Sequence, residues 1–145
     1  MSISVRVIDS TNGCPVADLA VTLHAREHGT WPALTRARTD NAGRVGSLSG
    51  EALPHGHYRL VFETGEYFAE RAVDSLYAEV IVSLHHQGDP NHLHIPLLLS
   101  PFSYTTYRGN VPGAVTAGTA RERADGARVP NSPVPRGPSG DPARP

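Results

Sequence analysis

Hydrophobic and polar positions alternate along most of the chain up to residue 110, in short runs separated by turn-forming residues. Ile3-Ser4-Val5-Arg6-Val7-Ile8 puts Ile3, Val5 and Val7 on one face and Ser4, Arg6 and Ile8 on the other, the period of a half-buried strand. The same alternation returns over Leu19 to Leu23 and Tyr77 to Leu84, and Tyr58 to Glu63 reads as a strand by its aromatic and β-branched content. Trp31 to Arg38 and Val45 to Leu48 are weaker strand candidates. Asp9 to Gly13, Asp40 to Arg44 and Gln87 to Asn91 supply turns, since their residue types bond their own backbone or adopt positive φ. Ile95 to Leu99 is the longest unbroken apolar run and predicts a buried strand. Ser100-Pro101 then turns the chain into a last strand, Ser103 to Tyr107. One helix is predicted, capped by Thr64 and running to about Ala69, with Glu66 in its first turn. About eight short strands at roughly regular spacing give an all-β sandwich with one short helix.

After Asn110 the pattern stops. Residues 111–145 hold seven Pro, five Gly and no aromatic residue, so they cannot bury enough surface to offset the entropy of ordering them. The expected organisation is a folded domain over 1–110 and a disordered Pro/Gly-rich tail over 111–145. A chain of 145 residues allows one domain with a modest core. The net charge of −1 points to neither nucleic acid nor an anionic membrane. All thirteen basic residues are Arg, which leaves no lysine for chemistry. The single Cys14 excludes an intrachain disulfide and fits a reducing compartment, where it reads as a bystander thiol. No apolar run reaches the length of a membrane span, and the N-terminus lacks the pattern of a signal peptide. A soluble, cytoplasmic protein is expected.

Few residues stand out for chemistry by themselves. A histidine on a strand is more often structural than catalytic, and an arginine in a turn is ordinarily solvated. His85, His86, His92 and His94 invite a zinc reading, but no acidic or cysteine ligand joins them at an interpretable spacing. No metal and no cofactor is expected.

One long stretch changes these odds. His94-Ile95-Pro96-Leu97-Leu98-Leu99-Ser100-Pro101-Phe102-Ser103-Tyr104, followed by Thr106-Tyr107-Arg108-Gly109, resembles the C-terminal signature of the 5-hydroxyisourate hydrolases. These are the transthyretin-like proteins of urate breakdown. Val7-Ile8-Asp9 followed by Gly13-x-Pro15 resembles the opening motif of the same family. The resemblance covers about residues 3 to 110. It implies a transthyretin-like (prealbumin-like) sandwich of two four-stranded sheets, assembled as a homotetramer with sites in channels between dimers. It also implies site roles. His94, Arg44, Arg108 and Tyr107 fall on catalytic positions, while Arg6, Ser103 and Tyr104 fall on positions lining the substrate pocket.

The chemistry suits these residue types. Opening a cyclic amide needs an activated water and stabilisation of the carbonyl oxygen, which a neutral imidazole and guanidinium forks can provide. Two departures qualify the resemblance. The hydrolases carry a His where this chain has Arg6, a position at which transthyretin also has a cation. Their chain closes on Tyr-Arg-Gly-Ser, whereas here Tyr107-Arg108-Gly109-Asn110 runs on into the tail. The expected function is hydrolysis of 5-hydroxyisourate or a related small heterocycle, in purine (urate) catabolism. The alternatives are a diverged protein that binds a planar anionic ligand without turnover, or an enzyme acting on another ring in a biosynthetic pathway.

Overall fold

A computed structural model describes residues 2–87 and 92–109. The chain divides into two units, Met1–Val115 and Thr116–Pro145, and the described residues all belong to the first. The expected tail, Asn110 and most of the Gln87 to Asn91 turn lie outside the described residues.

Among the described residues nine strands and one helix follow in the order β1 (Ile3–Asp9), β2 (Cys14–Pro15), β3 (Ala20–Ala25), β4 (Ala33–Arg38), β5 (Arg44–Val45), β6 (Gly56–Phe62), α1 (Thr64–Glu70), β7 (Val80–His86), β8 (Leu93–Leu99) and β9 (Tyr104–Thr106). One sheet runs β2-β1-β8-β9 with β5 also pairing to β1, and the other runs β4-β3-β6-β7. The sandwich fold is as expected from the strand pattern, with one sheet of four strands and a second extended by the two-residue β5. Among the described residues no helix is long and apolar enough to cross a membrane.

The alternation sorts core from surface as a pleated strand must. Ile3, Val5 and Val7 of β1 and Leu97 and Leu99 of β8 face Val21 and Leu23 of β3 and Leu60 and Phe62 of β6, all essentially inaccessible to solvent. Tyr67 and Phe68 of α1 join this core. The Tyr67 hydroxyl donates to the Asp9 carboxylate at 3.0 Å, tying the helix to the end of β1. Asp9 also accepts the Thr11 backbone N–H at 2.9 Å, so the first turn and the helix share one anchor.

Several boundaries differ from expectation for local reasons. Cys14 and Pro15, assigned no strand from the pattern, form β2, because the tight turn at Gly13 folds them back onto Ile8 and Asp9. The strand expected over Val45 to Leu48 starts at Arg44 and ends at Val45, after which the chain crosses to bond Ile3 through Leu48. Val80 opens β7, three residues later than expected, and the strand persists to His86. Tyr107 and Arg108 lie beyond β9 rather than ending it. Thr64 is not the cap of α1. It occupies the first helical turn with its side chain fully buried and Oγ1 without a hydrogen-bond partner. The backbone carbonyl of Ala78 accepts the Gly65 N–H instead, at 3.0 Å, so a side-chain cap is not required there.

Candidate active site on the outer face of the first sheet

The central pairing of the first sheet is parallel. It aligns Ser4 with His94, Arg6 with Pro96 and Ile8 with Leu98. These residues alternate with the core set, so they share the outer face. On the other side of β1, β5 runs antiparallel and places Arg44 directly opposite Arg6. Together they line a concavity of about 420 Å³ that also takes in His92 and Tyr107.

Two backbone devices position the polar groups. The Asp40 carboxylate accepts the backbone N–H of Ala42 at 2.9 Å and of Arg44 at 2.8 Å, closing the turn that presents Arg44. Gly43 completes that turn with φ +71, and a Cβ there would lie 2.3 Å from the Val7 carbonyl oxygen. At the opposite wall, the Gly109 N–H donates to the His94 carbonyl at 2.8 Å. A Cβ on Gly109 would stand 2.7 Å from His94 Cδ2 and 2.8 Å from Pro96 Cγ, so only glycine lets the chain pass so close to the ring.

His94 sits half-buried with Nδ1 2.7 Å from Ser4 Oγ. Among the described residues its Nε2 makes no hydrogen bond to a protein group, which leaves that nitrogen for a ligand or water. Burial, foremost, and the nearby His92, Arg44 and Arg6 lower the pKa of His94 below the ordinary histidine value. The ring is therefore neutral near pH 7, the state a general base requires. Arg6 is half-buried, and its Nε is buried without a hydrogen-bond partner. Neither Arg6 nor Arg44 has a carboxylate partner among the described residues. Two like charges paired across strands repel. An anion between them would relieve that repulsion and accept paired guanidinium donors.

Of the residues singled out from sequence, His94, Arg44, Arg6 and Tyr107 come together here. Arg108 lines a separate depression with Tyr58, Leu84 and His86. Ser103 belongs to the β8–β9 turn, where its carbonyl accepts the Ser100 N–H at 2.9 Å. Tyr104 packs edge-on against Tyr77, with ring centroids 5.1 Å apart. His85 and His86 stand on β7 in the other sheet, against His57 and His55. Among the described residues no three His, Cys, Asp or Glu side chains come together to hold a metal ion. Ser4, His92 and Gly109 were given no role in the site from sequence. The available signal was the matched two-residue spacing of Ser2/Ser4 and His92/His94, which becomes meaningful once β1 and β8 are known to pair.

Known proteins resemble this chain in sequence and in fold. The family model described as "HIUase/Transthyretin family" matches residues 3–109. A 5-hydroxyisourate hydrolase of Salmonella dublin is 37% identical over 109 residues, covering 74% of this chain and 80% of its own. The Mus musculus 5-hydroxyisourate hydrolase is 36% identical over 111 residues, covering 74% of this chain and 94% of its own. Among solved structures, Klebsiella pneumoniae 5-hydroxyisourate hydrolase superposes with a TM-score of 0.69 at 28% identity, covering 76% of this chain and all of its own. Sea bream transthyretin in complex with thyroxine superposes with a TM-score of 0.70 at 27% identity, covering 76% and 96%. With its sandwich, its signature stretch and its relatives in agreement, the chain belongs to the HIUase/Transthyretin family.

Proposed function

We propose that the chain is a hydrolase that opens the ring of 5-hydroxyisourate or a closely related planar, anionic heterocycle. The observation that carries this reading is the placement of His94, its Nε2 uncommitted among the described residues, in a concavity that also holds Arg6 and Arg44. In this reading His94 takes a proton from water as it attacks the ring carbonyl, and the guanidinium groups stabilise the oxyanion. Tyr107, at the rim, contacts the ring. The hydrolase relatives support the reaction class. Following the ultraviolet absorbance of freshly generated 5-hydroxyisourate tests it. Wild type should exceed the spontaneous rate and His94→Ala should not, and turnover indifferent to His94→Ala would sink the assignment.

A second reading rests on Arg6. The resemblance places a histidine there in the hydrolases, and a fixed cation cannot shuttle protons. Under this reading the Arg6–Arg44 pair binds a planar anion that is not turned over. Wild type would then leave 5-hydroxyisourate to decay at its spontaneous rate while still binding it.

We infer that the working unit is a homotetramer. Arg108, Ser103 and Tyr104 lie away from the concavity, so they would serve a site that a second copy completes. Leu76, Tyr77, Phe102 and Tyr104 are exposed beside β9 and offer an apolar contact for that copy. Sedimentation should give about four times the 15.5 kDa chain mass, and a clean monomer would remove the shared site. The exposed, unpaired Cys14 accords with a cytoplasmic location.

A further inference from the structure

We propose that His92 is a positioning residue for His94, and that Ser2, His92, Ser4 and His94 form one hydrogen-bonded relay that switches His94 between base and acid. This rests on the reading of His94 as the base. The parallel register puts Ser4 opposite His94, and one pleat earlier the Leu93 N–H donates to the Ser2 carbonyl at 2.9 Å. Two serines and two histidines therefore interdigitate on the outer face. Ser4 Oγ lies 2.7 Å from His94 Nδ1 and 2.6 Å from His92 Nε2. His92 Nδ1 is in turn bonded to Ser2 Oγ, and Ser2 is partly open to solvent.

A hydroxyl has one proton to give, so Ser4 cannot donate to both rings. Two arrangements use the Ser4 proton within the chain while both rings stay neutral. In the first, His94 Nδ1–H donates to Ser4, Ser4 donates to His92 Nε2, and His92 Nδ1–H donates to Ser2. His94 Nε2 then carries a bare lone pair and is a base. In the second every donor is reversed, and Nε2 carries the proton and is an acid.

Hydrolysis uses both. The water oxygen bonds to the ring carbonyl carbon as one water proton passes to His94 Nε2. Each member of the relay hands on one proton, and one leaves from Ser2 to solvent. The carbonyl carbon–nitrogen bond then breaks as the leaving nitrogen takes the Nε2 proton. One proton returns by way of Ser2 and restores the first arrangement. The other water proton, held by the carboxylic acid product, ionises to solvent. His94 thus never has to remain an imidazolium beside Arg6, Arg44 and His92, the state that burial and these three groups oppose. Ser4, itself buried, and the close approach of Gly109 hold the ring in register for the transfer.

The test reads the tautomer of His94 directly, by nitrogen NMR of histidine-labelled full-length protein without substrate, so its outcome does not depend on turnover. Wild type should show His94 protonated on Nδ1. In His92→Phe the Ser4 hydroxyl loses its acceptor and should turn to His94, moving the proton to Nε2. His92→Gln offers an amide oxygen to Ser4 and should restore the Nδ1–H tautomer without restoring the relay. In turnover, both variants should lose about 10–100-fold in kcat, the scale at which partners of a functional imidazole act elsewhere, with little change in KM. Ser4→Ala, a smaller change should His92→Phe fail to fold, should uncouple the two rings. The same His94 tautomer in wild type, His92→Phe and Ser4→Ala would overturn the proposal. If His94→Ala proves harmless to turnover while the tautomer follows His92, the relay exists and the base assignment alone is wrong.

Discussion

The outer faces of the two sheets carry arginines and treat them in opposite ways. On the β4-β3-β6-β7 sheet, Arg36 pairs with Glu63 through bonds of 3.0 and 2.9 Å, and Arg59 lies over the Trp31 ring at 3.8 Å. Arg38 reaches Asp18, and Arg71 at the C-terminal cap of the helix stacks on Tyr67. On the other face Arg6 and Arg44 stand opposite each other across strands, with no acidic partner among the described residues. The first arrangement is what stability alone selects. The second costs repulsion, which under the proposed function a bound anion would relieve. Surface ion pairing alone does not account for it.

The comparison breaks most visibly at His94. His94→Ala should lower kcat/KM by roughly 10²–10⁴-fold, the usual contribution of a general base, while the melting temperature changes little. A large loss of stability with modest loss of rate would instead make this face structural, like its counterpart.

Arg44→Gln comes next. Losing one donor to a developing oxyanion costs on the order of 10²–10³ in kcat. Stability should hold or rise, because a like-charge pair is removed from the folded state. Arg6→His sharpens the point, since it also removes the fixed cation but supplies a titratable ring. It should raise turnover of 5-hydroxyisourate several-fold if the hydrolase reading holds. A fall in both variants' melting temperatures would mean that the two arginines stabilise the fold.

How much of this was legible beforehand follows from the range of each interaction. The alternation of Ile3, Val5 and Val7 exposes β1 and its core face, because the period is local. The residues of the signature from His94 to Gly109 could be quoted from sequence for the same reason. What pairs with β1 could not. Its partner β8 lies some 90 residues away and runs parallel to it, so the opposition of Ser4 and His94 is a property of register, not of either strand. The expected cap at Thr64 failed similarly, because a backbone carbonyl fourteen residues on, at Ala78, supplied the acceptor. Arg108 was grouped with His94 by its neighbours in the signature, yet past β9 successive side chains diverge, Tyr107 to the concavity and Arg108 to another depression.

The pH profile offers a finer distinction. His94 is faced by His92 from just before its own strand, Arg6 and Ser4 from β1, Arg44 from β5 and Tyr107 beyond β9. Burial and the cations disfavour its protonated form, so the acid limb of kcat/KM should fall below the ordinary histidine value. Arg44→Gln removes one cation and relaxes that penalty, so the limb should move to higher pH. A limb that stays put would mean that the two groups do not share a site.

The smallest effect is expected on the opposite face, and there it is the contrast that informs. Arg36 is 58% exposed and Glu63 28%, so their ion pair is screened and should contribute no more than about 1 kcal/mol. Arg36→Ala should therefore lower the melting temperature slightly, less so in high salt, and leave kcat/KM untouched. Arg44→Gln has the opposite signature: stability held or raised, activity lost. Measuring both variants in both assays tests the division between the faces without assuming any substrate pose. If Arg36→Ala depressed activity as Arg44→Gln does, the second sheet would share in the chemistry, and a site confined to the β1/β8 face would have to be given up.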